Sequence, residues 1–224
     1  MTAFVICSEL PCPDGIDLAQ AARYYGVRGE DPVSAALLAR LAPEILAAAA
    51  PRMAWTECPL PDENGLLAGR DIYAHLAGCR SYVLLGVTLG AGVDRAVRRA
   101  GVGDVAAQAA ADALASTLTE QVCDAAEAAL RSRFQAEGRY LTGRYSPGYG
   151  DWPLAAQPKM ARLLDMSRRL GVTVTDTCLM LPRKSVTALL GAADTPVTGR
   201  RAGCGTCALR GRCEFRKRGE TCGS

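Results

Sequence analysis

The spacing of apolar and polar positions predicts a chain of helices interspersed with short strands. The longest periodic stretch, 104–135, is predicted to be one helix that begins after the N-cap residue Asp104. Its buried stripe is expected to contain Leu114, Leu118, Val122, Ala125 and Ala129. The opposite face carries polar residues, among them Glu120, which is by itself typical of a solvated helix position.

Shorter patterns predict the other elements. Helices are expected at 16–25, at 31–50 with Asp31 as N-cap and Pro32 in the first turn, at 71–76, at 93–99, and at 160–170 before Gly171. Extended segments are expected at 53–61, 82–87, 172–175 and 185–190, with a linker at 191–199.

The order of these elements indicates the fold class. Helices and strands mix without regular βαβ repetition, so we expect an α+β fold. Its centre is predicted to be a twisted, largely antiparallel sheet flanked by helices. The expected domains are a main unit at 1–198 and a small, basic, cysteine-rich C-terminal tail at 199–224.

Composition excludes several classes of protein. In 224 residues, 49% are hydrophobic and the net charge is only +3, which supports a packed core and argues against general electrostatic binding of nucleic acid. There is no apolar run of about 20 residues, as a membrane span requires. The N-terminus lacks the basic start of a secretory signal, so we expect a cytoplasmic protein with reduced cysteines.

The segment from Arg144 to Pro153 is the strongest candidate for chemistry. Pro147 presets φ at the second position of a β-turn, and Gly148 tolerates the positive φ that the third position of a type II turn requires. The turn holds Arg144 near Tyr145 and Tyr149. A guanidinium can capture a carboxylate or phosphate at two points, whereas a purely structural turn with a solvated arginine is the alternative.

This segment resembles the Arg-x-x-Pro-Gly-Tyr loop of the activation domain of cobalamin-dependent methionine synthase. Further resemblances follow in the same order, in the apolar strand 81–90, in the helix 113–120, and in the strand region 173–186. They cover roughly Ser81 to Leu190. The first 80 residues are more similar to stand-alone small proteins of the family.

The resemblance implies a role for four residues. Arg144 matches the arginine that contacts the carboxylate of S-adenosylmethionine, and Ser146 matches a residue that offers its backbone. Glu120 matches a glutamate near the sulfonium, and Tyr149 matches a tyrosine that lies over the corrin. The family's N-terminal aspartate, which meets the amino group of the substrate, has no convincing match here.

The tail contains four closely spaced cysteines, which could hold a metal. Thiolates in so short a segment could bind zinc or an iron–sulfur cluster, and a flexible reduced tail is the alternative. An iron–sulfur cluster could relay the electron that reactivation needs. The candidate ligands are Cys204, Cys207, Cys213 and Cys222.

These features predict a module that binds S-adenosylmethionine and supports reductive remethylation of cob(II)alamin. The cobalamin is expected on a separate methionine synthase or other corrinoid protein, because no DxHxxG pattern is present. The chain would then be an accessory part of methyltransferase activity in methionine biosynthesis, with an electron donor such as flavodoxin or ferredoxin. The alternative is a metal-stapled, non-catalytic adaptor for a redox or nucleic-acid partner.

Overall fold

A five-stranded antiparallel sheet forms the centre of the computed structural model, which describes residues 5–27, 31–199, 211, 212 and 217. The strands in this part of the chain are β1 (Ile6–Glu9), β2 (Arg52–Pro59), β3 (Ser81–Thr88), β4 (Tyr140–Leu141), β5 (Thr173–Val174), β6 (Met180–Leu181) and β7 (Ser185–Ala193). The sheet order is β1-β2-β3-β7-β4, and β5 and β6 form a separate hairpin. The predicted α+β class and the antiparallel sheet are confirmed.

Helices cover both faces of this sheet. They are α1 (Leu18–Tyr25), α2 (Pro32–Ala48), α3 (Arg70–His75), α4 (Ala91–Ala100), α5 (Val105–Ala136), α6 (Gln157–Leu163) and α7 (Met166–Leu170), and a 3-10 turn spans Leu154–Ala156. Apolar side chains of α1, α2, α4 and α5 share one core, and those of α3, α6 and α7 share the other.

The central strand β3 separates the two cores. Its side chains alternate, so that Val83 and Leu85 point into the core with α5, while Tyr82 and Leu84 point into the core with α6 and α7. Every residue of β3 is buried. This explains why its sequence is a continuous apolar run rather than an alternating one.

The long helix α5 forms as predicted, with one change in its buried stripe. Asp104 caps it by accepting a hydrogen bond from the Ala107 N–H at 2.9 Å. Beyond Val122 the buried positions of α5 are Cys123, Ala126, Leu130 and Phe134, whereas the predicted Ala125 and Ala129 are less buried. The residues spaced by four positions from Leu114 therefore form one buried row along α5, because this side of the helix faces the core over its length.

Two other sequence predictions were wrong. The predicted helix 160–170 is divided into α6 and α7 because Asp165 has a left-handed backbone, with φ of 48°. The predicted linker 191–199 begins too early, because β7 continues to Ala193 and pairs with β3 and β4. The small residues Gly191 and Ala192 are buried there.

The described helices contain no segment that is both long and apolar enough to cross a membrane. The predicted division at residues 198 and 199 stays a prediction, because most of 199–224 lies outside the described residues.

Candidate ligand-binding site

The loop between β4 and the 3-10 turn is held against α5 and β7 at its first residues. The Arg131 side chain of α5 donates from Nη1 to the Leu141 carbonyl at 2.5 Å and from Nη2 to the Thr142 carbonyl at 2.8 Å. Tyr145 and Leu189 of β7 exchange two backbone hydrogen bonds, both 2.8 Å long. The backbone before and after Arg144 is therefore held in place by hydrogen bonds.

The predicted type II turn is present. The Tyr149 N–H donates to the Ser146 carbonyl at 3.1 Å, and Gly148 has φ of +92°. The Gly148 N–H also donates to the Trp152 carbonyl at 2.9 Å, which closes the loop. Ser146, the predicted backbone contact for the ligand, thus has its carbonyl engaged within the turn.

The aromatic residues of the loop divide into buried and exposed rings. Tyr145 and Trp152 are buried, and the Trp152 indole donates to the Leu66 carbonyl at 3.2 Å. Tyr149 is 49% exposed, and its ring is perpendicular to the Tyr145 ring, with 5.9 Å between the two ring centroids. The loop therefore packs two rings into the core and leaves the third at the surface.

Two more side chains connect the loop to α3, one from the helix and one from the loop. His75 is buried, with its Nε2 2.8 Å from the Thr142 hydroxyl and its ring 4.9 Å from the Tyr145 ring. At the far end, the Asp151 carboxylate accepts the Arg70 and Asp71 N–H groups at 2.8 and 2.9 Å. These backbone hydrogen bonds lower the pKa of Asp151.

Arg144 faces three carboxylates on α5. Its Nη2 lies 2.8 Å from Asp124 Oδ1 and 3.6 Å from Glu120 Oε2, and its Nη1 lies 3.0 Å from Glu127 Oε2. The Arg144 side chain is only 18% exposed. The structure thus brings the two predicted ligand residues, Arg144 and Glu120, together, and the solvated arginine of the alternative interpretation is wrong.

The charges around Arg144 leave an excess of negative charge. Arg131 also binds Glu127, at 2.7 Å, so three carboxylates of α5 meet two guanidiniums. Burial alone would lower the pKa of Arg144, but the hydrogen bond that it donates to Asp124 and the nearby acids raise it, so Arg144 stays charged. An additional cation would be attracted to this surface.

Glu120 differs from an ordinary surface glutamate. Partial burial raises its pKa, the Arg144 charge opposes that shift, and the Asp124 charge adds to it. Its side chain is nevertheless 55% exposed, so a ligand can reach it. The prediction that Glu120 is near a ligand's positive group stays a prediction.

Sequence reasoning missed how closely three α5 residues surround Arg144. Asp124, Glu127 and Arg131 follow Glu120 at steps of four, seven and eleven residues, which places them on the same helix face. That spacing was visible in the sequence. The sequence did not show that Arg144 is their partner, because the loop reaches this face through tertiary contacts with β7 and with Arg131.

The predicted metal ligands Cys204, Cys207, Cys213 and Cys222 lie outside the described residues. Within the part of the chain that the structure describes, no group of three or more His, Cys, Asp and Glu side chains is arranged to hold a metal ion. The metal site of the tail therefore stays a prediction.

Comparison with known proteins supports the resemblance seen in the loop. Residues 95–197, which include Glu120 and the whole loop, match the family model of the vitamin B12 dependent methionine synthase activation domain. The fold is similar to the crystal structure of the MetH reactivation domain bound to AdoHcy. That match has a TM-score of 0.62 and 16% identity, over 98% of this chain and 87% of the other. No curated protein matches the chain in sequence.

Proposed function

We propose that this chain, which resembles the activation domain of vitamin B12 dependent methionine synthase, binds S-adenosylmethionine and supports reactivation of a cobalamin enzyme. The observation that carries the proposal is the position of Arg144, which precedes the turn and lies among carboxylates of α5, inside the segment that matches the family model. The similar MetH reactivation domain was crystallised with AdoHcy, the demethylated form of that ligand.

Arg144 is suited to the carboxylate of the ligand. Its guanidinium offers several donors in one plane, and two exposed acids at its Nη2 can move aside for a ligand carboxylate. Glu127 would keep the other side of the guanidinium in place. The ligand's amino-acid end would therefore lie between the loop and α5.

The negative excess of α5 is suited to the sulfonium. S-adenosylmethionine carries one more positive charge than its demethylated product, and Glu120 can lie close to that charge. Binding the methyl donor more tightly than the product would let the product leave after transfer. Glu120 would therefore favour the charged ligand without taking part in bond making.

Tyr149 is suited to a flat partner. Its ring is half-exposed in the same loop as Arg144 and packs edge-on against the buried Tyr145 ring. We place the corrin of a separate methionine synthase or other corrinoid protein against this ring. The partner's cobalamin would supply the centre that takes up one electron and the methyl group of S-adenosylmethionine, with S-adenosylhomocysteine as the product. The residues of this chain would bind and orient the donor.

The electron is expected from a small donor such as flavodoxin or ferredoxin, and the setting is expected to be the cytoplasm. In this arrangement the chain is an accessory to the methyltransferase, since the methyl group moves only in the complex with the corrinoid protein.

Calorimetric titration of S-adenosylmethionine into the purified protein tests the proposal, with Arg144→Ala as the variant. We expect the substitution to weaken binding by on the order of 100-fold, because it removes two charge-assisted hydrogen bonds. Arg99→Ala is the matched control, since Arg99 forms an exposed ion pair with Glu44 away from the loop. It should leave the affinity unchanged.

If the folded protein alone binds no S-adenosylmethionine, the titration is repeated with a cob(II)alamin-loaded corrinoid partner. Binding in that complex, lost on Arg144→Ala, would place the site between the two proteins. No binding in either form would overturn the proposal.

A further inference from the structure

The three carboxylates around Arg144 are not equally available to a ligand. Glu127 is 18% exposed and accepts from two nitrogens of Arg131 as well as from Arg144. Asp124 is 74% exposed, and it reaches Arg144 through one oxygen at 2.8 Å. Asp124 is therefore the carboxylate that can leave Arg144 at least cost.

Such a contact is weak. Water competes for the Asp124 carboxylate, which is mostly exposed, although the Arg144 side chain is largely covered. A ligand carboxylate held against Arg144 from the loop side can therefore replace Asp124 at Nη2. Once displaced, the Asp124 carboxylate stays close by, because it is attached to the rigid middle of α5.

The geometry of an amino acid defines what Asp124 then meets. Amino nitrogen and carboxylate carbon share one α-carbon and lie only about 2.5 Å apart. A carboxylate bound at Arg144 Nη2 thus brings the ammonium group into the space beside Asp124. Resting on the proposed function, we propose that Asp124 releases Arg144 on binding and accepts the α-ammonium group of S-adenosylmethionine.

The other two acids are less suited to this role. Glu127 is held by Arg131, and releasing it would free two guanidiniums at once. Glu120 lies farther from Arg144 Nη2, at 3.6 Å, and one turn earlier on α5. An exchange at Asp124 leaves every charge paired: ligand carboxylate with Arg144, and ligand ammonium with Asp124.

The test uses two ligands that differ only in the amino group: S-adenosylhomocysteine and its desamino form, a thiobutanoate. Both lack the sulfonium charge, so Glu120 does not distinguish them. Calorimetry is carried out on the wild type, on Asp124→Asn and on Asp124→Ala. Asp112→Asn is the matched control, because Asp112 also pairs with a cation, Lys184 at 2.9 Å, about three turns earlier on α5.

The proposal requires that the variants weaken binding of S-adenosylhomocysteine alone. The variants should bind S-adenosylhomocysteine on the order of 10-fold more weakly, because the ammonium loses a charged acceptor. They should bind the desamino form as tightly as the wild type or more tightly, because Asp124 no longer competes for Arg144. Asp112→Asn should change neither affinity.

Two results would overturn this role of Asp124 while leaving the proposed function intact. Equal weakening of both ligands would mean that Asp124 only supports the structure of the site. Tighter binding of both would mean that Asp124 only competes for Arg144. A wild-type protein that binds neither ligand nor S-adenosylmethionine, both alone and with the cob(II)alamin-loaded partner, would overturn the proposed function and this role together.

Discussion

Arg144 and Glu127 form an ion pair 3.0 Å long, and each of the two side chains is only 18% exposed. Glu127 also accepts two hydrogen bonds from Arg131, which in turn donates to two carbonyls at the start of the loop. One glutamate therefore couples the helix, the loop backbone and the proposed ligand arginine. The position of Arg144 therefore depends on this arrangement as well as on the turn that follows it.

Replacing Glu127 with Gln should both destabilise the protein and weaken the ligand site. Loss of the charge leaves two half-buried guanidiniums short of a partner, so we expect a loss of about 2 kcal/mol in the free energy of unfolding. S-adenosylmethionine binding should weaken by on the order of 10-fold, because Arg144 is no longer fixed. Urea unfolding and calorimetry measure the two effects.

Glu44→Gln is the control for this substitution, because Glu44 pairs with Arg99 at the surface. Its cost should be below about 1 kcal/mol, with no change in ligand affinity. If Glu127→Gln behaved like Glu44→Gln in both measurements, Glu127 would not position Arg144.

A side chain at Gly148 should destabilise the turn. Its φ of +92° is strained for an L-residue, so Gly148→Ala should cost about 1 kcal/mol and shift the loop that carries Arg144. Gly143→Ala is the matched control in the same loop, since a Cβ at Gly143 would meet nothing within 4 Å and its φ is not positive. Thermal unfolding compares the two variants.

The melting temperature should fall by roughly 2–4 °C in Gly148→Ala and stay unchanged or rise in Gly143→Ala. S-adenosylmethionine affinity should fall in the first variant alone. Equal melting temperatures would show that the turn accepts an alanine, and the turn would then not be the element that fixes Arg144.

Local signals made much of this architecture predictable. Asp31 and Asp104 accept N–H hydrogen bonds at the starts of α2 and α5, as their positions before apolar periodic stretches indicate. Pro147 and Gly148 specify a type II turn through their own backbone preferences. The continuous apolar run of β3 indicates a strand buried on both faces.

Features that depend on tertiary contacts were harder to predict. The break at Asp165 comes from a left-handed backbone at a residue whose sequence context is helical. The carboxylates around Arg144 belong to a helix face whose sequence is typical of a solvated surface. The loop reaches this face through the pairing of Tyr145 with Leu189 and through the hydrogen bonds from Arg131. The sequence shows that Arg144 and the carboxylates of α5 carry opposite charges, but it does not show that they lie close together.

The tail should bind a metal through its four cysteines, if they act as a tetrahedral set. Anaerobically purified protein should then contain stoichiometric metal, which the double substitution Cys204→Ser and Cys207→Ser should remove. Cys7→Ser is the control, because Cys7 is an exposed thiol in the described part of the chain. Metal analysis and absorption spectra measure the result.

Iron with a visible charge-transfer band would support the electron relay predicted for the tail. Stoichiometric zinc without iron would exclude that relay and leave a structural site. Metal-free protein with unchanged stability would favour the flexible reduced tail instead.

Glu120 should control how well the site distinguishes S-adenosylmethionine from S-adenosylhomocysteine. The two ligands differ by one positive charge, and the ionised Glu120 carboxylate attracts that charge. Glu120→Gln should therefore reduce the preference for S-adenosylmethionine by on the order of 10-fold, mainly by weakening that ligand. Competition calorimetry with both ligands gives the ratio directly, and Asp112→Asn on the same helix is the control.

The preference should also depend on pH in a defined direction. Because partial burial raises the pKa of Glu120, its carboxyl becomes protonated at a higher pH than an ordinary glutamate as the solution is acidified. The preference for S-adenosylmethionine should therefore be complete near neutral pH and fall on acidification. In the Glu120→Gln variant, the ratio of the two affinities should be low and change less with pH. A wild-type ratio that keeps its neutral value below the ordinary pKa of glutamate would show that another group recognises the sulfonium.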